Sequence, residues 1–341
     1  MKFRLQAERS AHRVLRKLFS HHVQRVGRLL KGELHPQAVH EARKSVKRLR
    51  ALVEMMRHTV PEAAKLQPAL RRLHHQLAPL RDAQTLCEAF DRLTGSTAQP
   101  DEWAAVRAQL YRGALEHQQT SDERWRAHVQ RQLERLEQRW HKLNWRRRGW
   151  KLLAPNLRAI YRRGRRECLR LQPDAPPEDW HELRKWVKRI QYFWELLIPL
   201  WPERLEHEHR QWDELGELLG WHHDAQALHD WLSRQAVFPS AVTRSMQQAL
   251  LQQQRAWQPE AFRRARRLFA ETPSAVVRRF RQYWKIWQQT SRSTSANNQA
   301  PTHLTLLDPA VSTVCVPRPR PSAQPFVGGN PRVSSTHEGS P

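Results

Sequence analysis

Apolar residues recur at steps of three and four along nearly the whole chain to about residue 288, the period of a helix with one buried face. In VHEARKSVKRLRALVEMM, residues 39–56, Val39, Ala42, Val46, Leu49, Val53 and Met56 fall on one seam. In WHELRKWVKRIQYFWELL, residues 180–197, the seam is Trp180, Leu183, Val187, Ile190, Trp194 and Leu197. Such faces pack in helical bundles. With glycine scarce throughout, the pattern predicts an all-α chain. Helices are expected over about 5–31, 37–58, 62–78 and 82–93, and again over about 150–171, 178–198, 203–219 and 224–235. A charged helical stretch, about 101–145, joins the two sets, and a closing helical segment runs from about 243 to 288. Pro36 and Pro177 stand just ahead of the two similar helices, where a missing N–H costs nothing.

The second set repeats the first. An offset of 141 pairs His40 with His181, Arg43 with Arg184, Lys47 with Lys188, Arg48 with Arg189, Glu54 with Glu195 and Pro61 with Pro202. One residue later in register, LAPLRDAQTL (77–86) meets LGWHHDAQAL (219–228), which aligns Asp82 with Asp224. Agreement over roughly 45 residues, with prolines in matching places, points to duplication of a helical unit. The helical body is therefore read as residues 1–290, with repeat one at about 5–95 and repeat two at about 150–288. Residues 291–341, rich in Ser, Thr and Pro and without a helical period, read as a disordered tail.

Charge narrows the partner. The 341 residues carry 59 Lys and Arg against 33 Asp and Glu, a formal charge of +26, and the tail is near neutral, so the excess belongs to the helical body. A body so basic fits a polyanion: nucleic acid, anionic lipid or a phosphate polymer. Cys87, Cys168 and Cys315 lie far apart without metal-ligand spacing, which argues against a disulfide or zinc framework. The N-terminus, charged every few residues, does not read as a signal peptide. No run of about 18 apolar residues occurs to span a membrane, so the cytoplasm is the expected location.

The cations are not scattered. His40, Arg43, Lys47 and Arg50 fall within an arc of about 80° beside the apolar seam, at about 100° per residue. Lys44 and Arg48 widen that arc. His181, Arg184 and Lys188, with Lys185 and Arg189 farther round, repeat it. Like charges this close repel, and a chain of closely spaced anions would neutralise them. The rival reading is a solvated basic face, but a merely soluble face need not keep His and Arg at the same places twice. Arginine suits phosphate because its planar fork donates two bonds at once. A histidine at the head of each row can donate from both nitrogens once protonated. Arg158, Arg162 and Arg165 share one face of the 150–171 helix and form a candidate second row; ordinary surface arginines explain them equally well.

The pattern His-x-x-Arg-(Lys)-x-x-Lys-Arg-Leu/Ile, followed by Leu-x-x-x-Arg/His-Asp-x-x-x-Leu, resembles the CHAD family, the conserved histidine α-helical domain. VHEARKSVKRLR, WHELRKWVKRIQYFWELL, LAPLRDAQTL and LGWHHDAQAL carry the likeness, which extends over about 5–290. The resemblance implies two four-helix bundles related by a pseudo-twofold axis, with a basic central surface that binds inorganic polyphosphate. It implies anion contacts at His40, Arg43, Lys47, Arg48, Arg50, His181, Arg184, Lys188 and Arg189. The chain departs from the pattern at Gln191, where a cation is usual, and at Pro79.

Other chemistry is weaker. HHDAQALHD (222–230) holds His-Asp pairs of the kind found in metal-dependent phosphohydrolases, but the first copy has Arg81-Asp82 instead. Asp82 and Asp224 read as helix-start carboxylates that cap free N–H groups. His21-His22 and His74-His75 read as surface or groove histidines, and most of the 15 Trp as core. No Gly-rich phosphate loop and no Glu-x-Glu-x-Lys appear. The expectation is a non-enzymatic, cofactor-free and metal-free polyphosphate binder associated with polyphosphate granules. A nucleic-acid-binding protein is the first rival and a phosphohydrolase the second; the oligomeric state is left open. Both rows carry a His, an Arg and two further cations in register, so a long anion is expected to bridge them and a short one to occupy only one, and loss of Arg184 and Lys188 should spare tripolyphosphate.

Overall fold

The computed structural model describes residues 2–7, 9–31, 35–95, 103–116 and 123–297, and among them no strand occurs. Repeat one contains α1 (Ala11–Leu29), α2 (Pro36–Met56), a short 3-10 turn (Pro61–Leu66), α3 (Gln67–Gln76) and α4 (Pro79–Thr94). α5 (Ala104–Glu116) packs on α4, and α6 (Glu123–His141) packs on α1. Repeat two contains α7 (Trp150–Arg170), α8 (Pro177–Leu197) and α9 (Pro202–Ser233). The closing segment is two helices, α10 (Ser240–Leu268) against α9 and α11 (Pro273–Asn297) against α7.

Both predicted seams are buried, from Val39 to Met56 on α2 and from Trp180 to Leu197 on α8. They belong to one core that runs from Phe3 to Trp284. A second core joins α4 and α5 to the end of α9 and the start of α10, through Phe90, Trp103, Leu228 and Met246. A polar latch ties α2 to α7. Asn156, fully buried, accepts from the His58 N–H at 2.8 Å and donates to Thr59 Oγ1 at 2.8 Å, and Thr59 donates to the Leu152 carbonyl at 3.0 Å. Each buried polar atom of this latch has a partner, so it fixes the angle between the units without an unpaired group.

Four expectations need correction. α1 starts at Ala11 rather than residue 5, because the chain ahead of it docks on repeat two. The Leu5 N–H donates to the Leu196 carbonyl at 3.0 Å, and Phe3 and Leu5 are buried. His22 then lies under Phe3, 1% exposed, rather than on the surface. The expected break near residue 220 is absent, and α9 continues through it. In repeat one Pro79, which has no N–H to donate, separates α3 from α4. Its register partner is Trp221, which keeps its N–H. Asp224 therefore sits inside a helix and caps nothing, while the side chain of Asp82 lies outside the described residues. Finally, residues 291–297 continue α11 instead of starting the tail; Ser291-Arg-Ser-Thr-Ser-Ala-Asn297 has no Pro or Gly to stop a helix. Residues 298–341, the rest of the expected tail and with them Cys315, lie outside the described residues. Cys87 and Cys168 are buried free thiols.

Packing is close where α7 meets the end of α10 and α8. A Cβ on Gly164 would lie 2.8 Å from the buried Phe269 ring and 3.0 Å from Ile190. Gly164→Ala should destabilise the fold by about 1–3 kcal/mol through overpacking. Urea unfolding would show a lower midpoint with an unchanged slope; an unchanged midpoint would mean that the Phe269 ring moves freely aside.

Candidate anion-binding groove

α2 and α8 cross one another. Arg48 donates to Glu195 at 2.9 Å, and its register partner Arg189 is drawn by Glu54, the register partner of Glu195. The two pairs mirror each other about a crossing near Ala51 and Tyr192. Beside the crossing lies a groove of about 930 Å³. His40, Lys44, Lys47, Arg48 and Arg50 line it from α2, and Arg184, Lys185, Lys188 and Arg189 line it from α8. Among the described residues its walls carry ten Lys and Arg against four carboxylates, Glu54, Glu195, Asp213 and Glu217.

The two rows meet in one cluster. Lys47 reaches solvent, yet it is ringed by protein atoms. Withdrawal from bulk water, then Arg184, Arg43 and Lys188, pulls its pKa down to about 8. Lys188 is lowered by burial first and Arg184 second, while Asp213 and Glu217 pull the other way. Arg50 and Arg189 are likewise lowered, chiefly by burial. Burial outweighs the attraction of Arg48 and leaves Glu195 above the usual carboxylate range. It does the same to Asp224, which faces Arg184. Cations held at this density in a half-dry groove are destabilised in the free protein, and an anion laid among them would relieve that directly.

Nine of the fourteen residues singled out in the sequence therefore share this groove. Arg43 and His181 stand beside it. Arg43 is near enough to depress both Lys47 and His74. The His181 ring stacks on His223 at 4.3 Å, and burial with Lys185 and Arg184 lowers its pKa, so the free protein disfavours its doubly donating form. Arg158 and Arg162 do not reach the groove. α7 turns Leu157, Ile160, Tyr161 and Gly164 inward, which leaves both arginines exposed, and Arg158 donates to Ser274 Oγ on α11 at 2.6 Å. Arg165, on the same helix, donates to the Phe269 carbonyl at 3.0 Å, a packing role.

A family model, the CHAD domain, matches residues 13–233. The chain belongs to the CHAD family. Two solved structures are similar to it: the CHAD domain from the plant Ricinus communis and PptA from Streptomyces chartreusis. The first is 18% identical, covers 78% of this chain and 94% of its own, and has a TM-score of 0.57. The second is 14% identical, covers 77% and 100%, and has a TM-score of 0.53. At these identities the likeness speaks for the fold alone. A search of curated proteins gives no match. In this CHAD chain α10 and α11 lie beyond the matched span.

Two groove cations escaped the sequence reading: Arg57 and Arg71 also line its walls. Arg57 was legible: the α2 row Arg43, Lys47, Arg50 continues at the same spacing through Glu54 to Arg57. Arg71 was not, because it arrives on α3. The His-Asp stretch of α9 scatters. His222 turns toward Trp180, His223 toward His181, and Asp224 toward Arg184, while His229 faces Asp230. Among the described residues, no three His, Cys, Asp or Glu side chains are placed to hold a metal ion. Ser20 and Glu137 both approach His141 at the same nitrogen, Nε2, at 2.9 and 3.9 Å. That ring cannot pass a proton from serine to carboxylate. Nor is any helix among the described residues long and apolar enough to cross a membrane.

Proposed function

We propose that this protein binds inorganic polyphosphate in the groove between α2 and α8 and does not transform it. One observation carries the reading: cations that the duplication placed 141 residues apart come together on facing walls of one groove. Polyphosphate is the polyanion that the family resemblance implies. The mechanism is multivalent neutralisation, in which arginine forks and lysine ammonium groups replace the counterions of the chain. The free energy of counterion release is worked out for nucleic acids and extends to polyphosphate by analogy. The protein needs no cofactor for this, and in the cell it would lie with polyphosphate granules in the cytoplasm. A different place favours nucleic acid: Arg146, Arg147 and Arg148 are exposed in the segment between α6 and α7, above the buried Trp145.

Competition between long-chain polyphosphate and RNA at one fixed salt concentration tests the reading. Polyphosphate should displace RNA at a lower concentration of phosphate units. RNA that resists displacement would move the binding site to the Arg146–Arg148 segment. Orthophosphate released from polyphosphate by pure protein, and abolished by Asp224→Ala, would make the protein a hydrolase.

A further inference from the structure

The two walls of the groove are register partners, but some matching positions on them differ in charge. Arg50 pairs with Gln191 at an offset of 141. Gln67 pairs with His209 and Arg71 with Asp213 at 142, a register that the buried sets Leu70, Leu73, Leu77 and Trp212, Leu215, Leu219 support. All six of the paired polar positions line the same groove. Where repeat one presents Arg50 and Arg71, repeat two presents a neutral amide and a carboxylate. Gln191 donates to Asp213, so the amide that replaced a cation is bound to the carboxylate that replaced another. Glu217 adds a second negative charge one turn along α9.

The same carboxylates act on Lys188. A Cβ on Gly216 would stand 2.8 Å from Lys188 Nζ, so the ammonium lies against α9 between Asp213 and Glu217. Its counterpart, Lys47, is lowered by Arg184, Arg43 and Lys188, while Asp224 pulls the other way. Duplication alone would have made the ends alike; the substitutions at 191, 213 and 217 make them unlike.

We propose that the groove is one-ended: a bound polyanion runs from the Lys47–Arg184 centre outward past Arg50 to Arg71, and Asp213 with Glu217 closes the other end to it. This rests on the polyanion reading given above. Repulsion at one mouth and attraction at the other sets the direction in which a long chain leaves the site, which area or net charge alone would not.

The test uses the full chain and long-chain sodium polyphosphate, titrated over a series of salt concentrations. Asp213→Asn with Glu217→Gln keeps size and hydrogen bonding and removes two charges. Glu134→Gln with Glu137→Gln on α6 removes the same charge away from the groove and serves as the reference. The groove pair should tighten binding about tenfold and steepen the salt dependence by about one to two ions, while the α6 pair should leave the slope unchanged. Arg71→Ala, at an exposed position where folding is safe, should weaken binding about five- to tenfold and flatten the slope. Equal effects of the two carboxylate pairs, or no effect of Arg71→Ala, would overturn the one-ended groove while leaving the polyanion reading standing. Failure of the wild type itself to bind would overturn both.

Discussion

Replacing Arg184 and Lys188 by alanine should weaken polyphosphate binding by about 100-fold or more. Charge-assisted hydrogen bonds contribute roughly 1.5–3 kcal/mol each, and two are lost. If the rows stood apart, tripolyphosphate would escape most of that loss. They do not stand apart: Arg184 and Lys188 both act on Lys47 across the groove. Tripolyphosphate should therefore lose nearly as much as the long chain, and the salt dependence should flatten for both. Calorimetric titration of both ligands reads this out. A large loss for the long chain with little for tripolyphosphate would restore two separate half-sites. No loss for either would return the cations to a solvated face. The substitutions also act on the fold, since Arg184 is the foremost attraction on the half-buried Asp224. A thermal melt must accompany the titration, because a carboxylate left buried without its cation is destabilising.

Polyphosphate affinity should fall as pH rises above about 8, by up to about tenfold per unit for the one proton involved. Over the same interval the free protein should become more stable. Lys47 accounts for both signs. Its pKa is 10.5 in the unfolded chain and about 8 in the fold. Between those values the unfolded chain holds the proton and the fold does not, so stability rises with pH there. A bound anion restores the proton, so binding takes one up, and affinity is greatest below pH 8. Lys188, shifted the same way, adds to the effect. His74 and His223, which also face this cluster, have pKa values of about 3, so they stay neutral throughout and do not contribute. Titration at pH 8.5 in two buffers of different ionisation enthalpy measures the uptake. Lys47→Met should abolish most of it; an undiminished uptake would place the titrating group elsewhere.

The all-α class and the inward faces of α2 and α8 follow from spacing alone, because the step of three and four can be satisfied in water only by a helix with one side buried. The register of 141 with matching prolines was equally legible, since it is a property of order and not of shape. The rows at His40–Arg50 and His181–Arg189 were readable for the same reason: a helix turns fixed intervals into a shared face.

What the intervals do not contain is the third dimension. Arg158 and Arg162 have spacing as good as that of Arg43 and Lys47, yet α11 and solvent take their face while α8 takes that of α2. Arg71, Asp213 and Glu217 entered the site from α3 and α9, helices whose own periodicity says nothing of a groove. The charge at its two mouths depends on which carboxylates cross from a neighbour, and on Gly216 leaving room for Lys188 to lie down on α9. Local sequence determined the helices and the cations each one bears. Only packing decided which cations share water, because charges act on whatever lies within a few ångströms and not on what lies next along the chain.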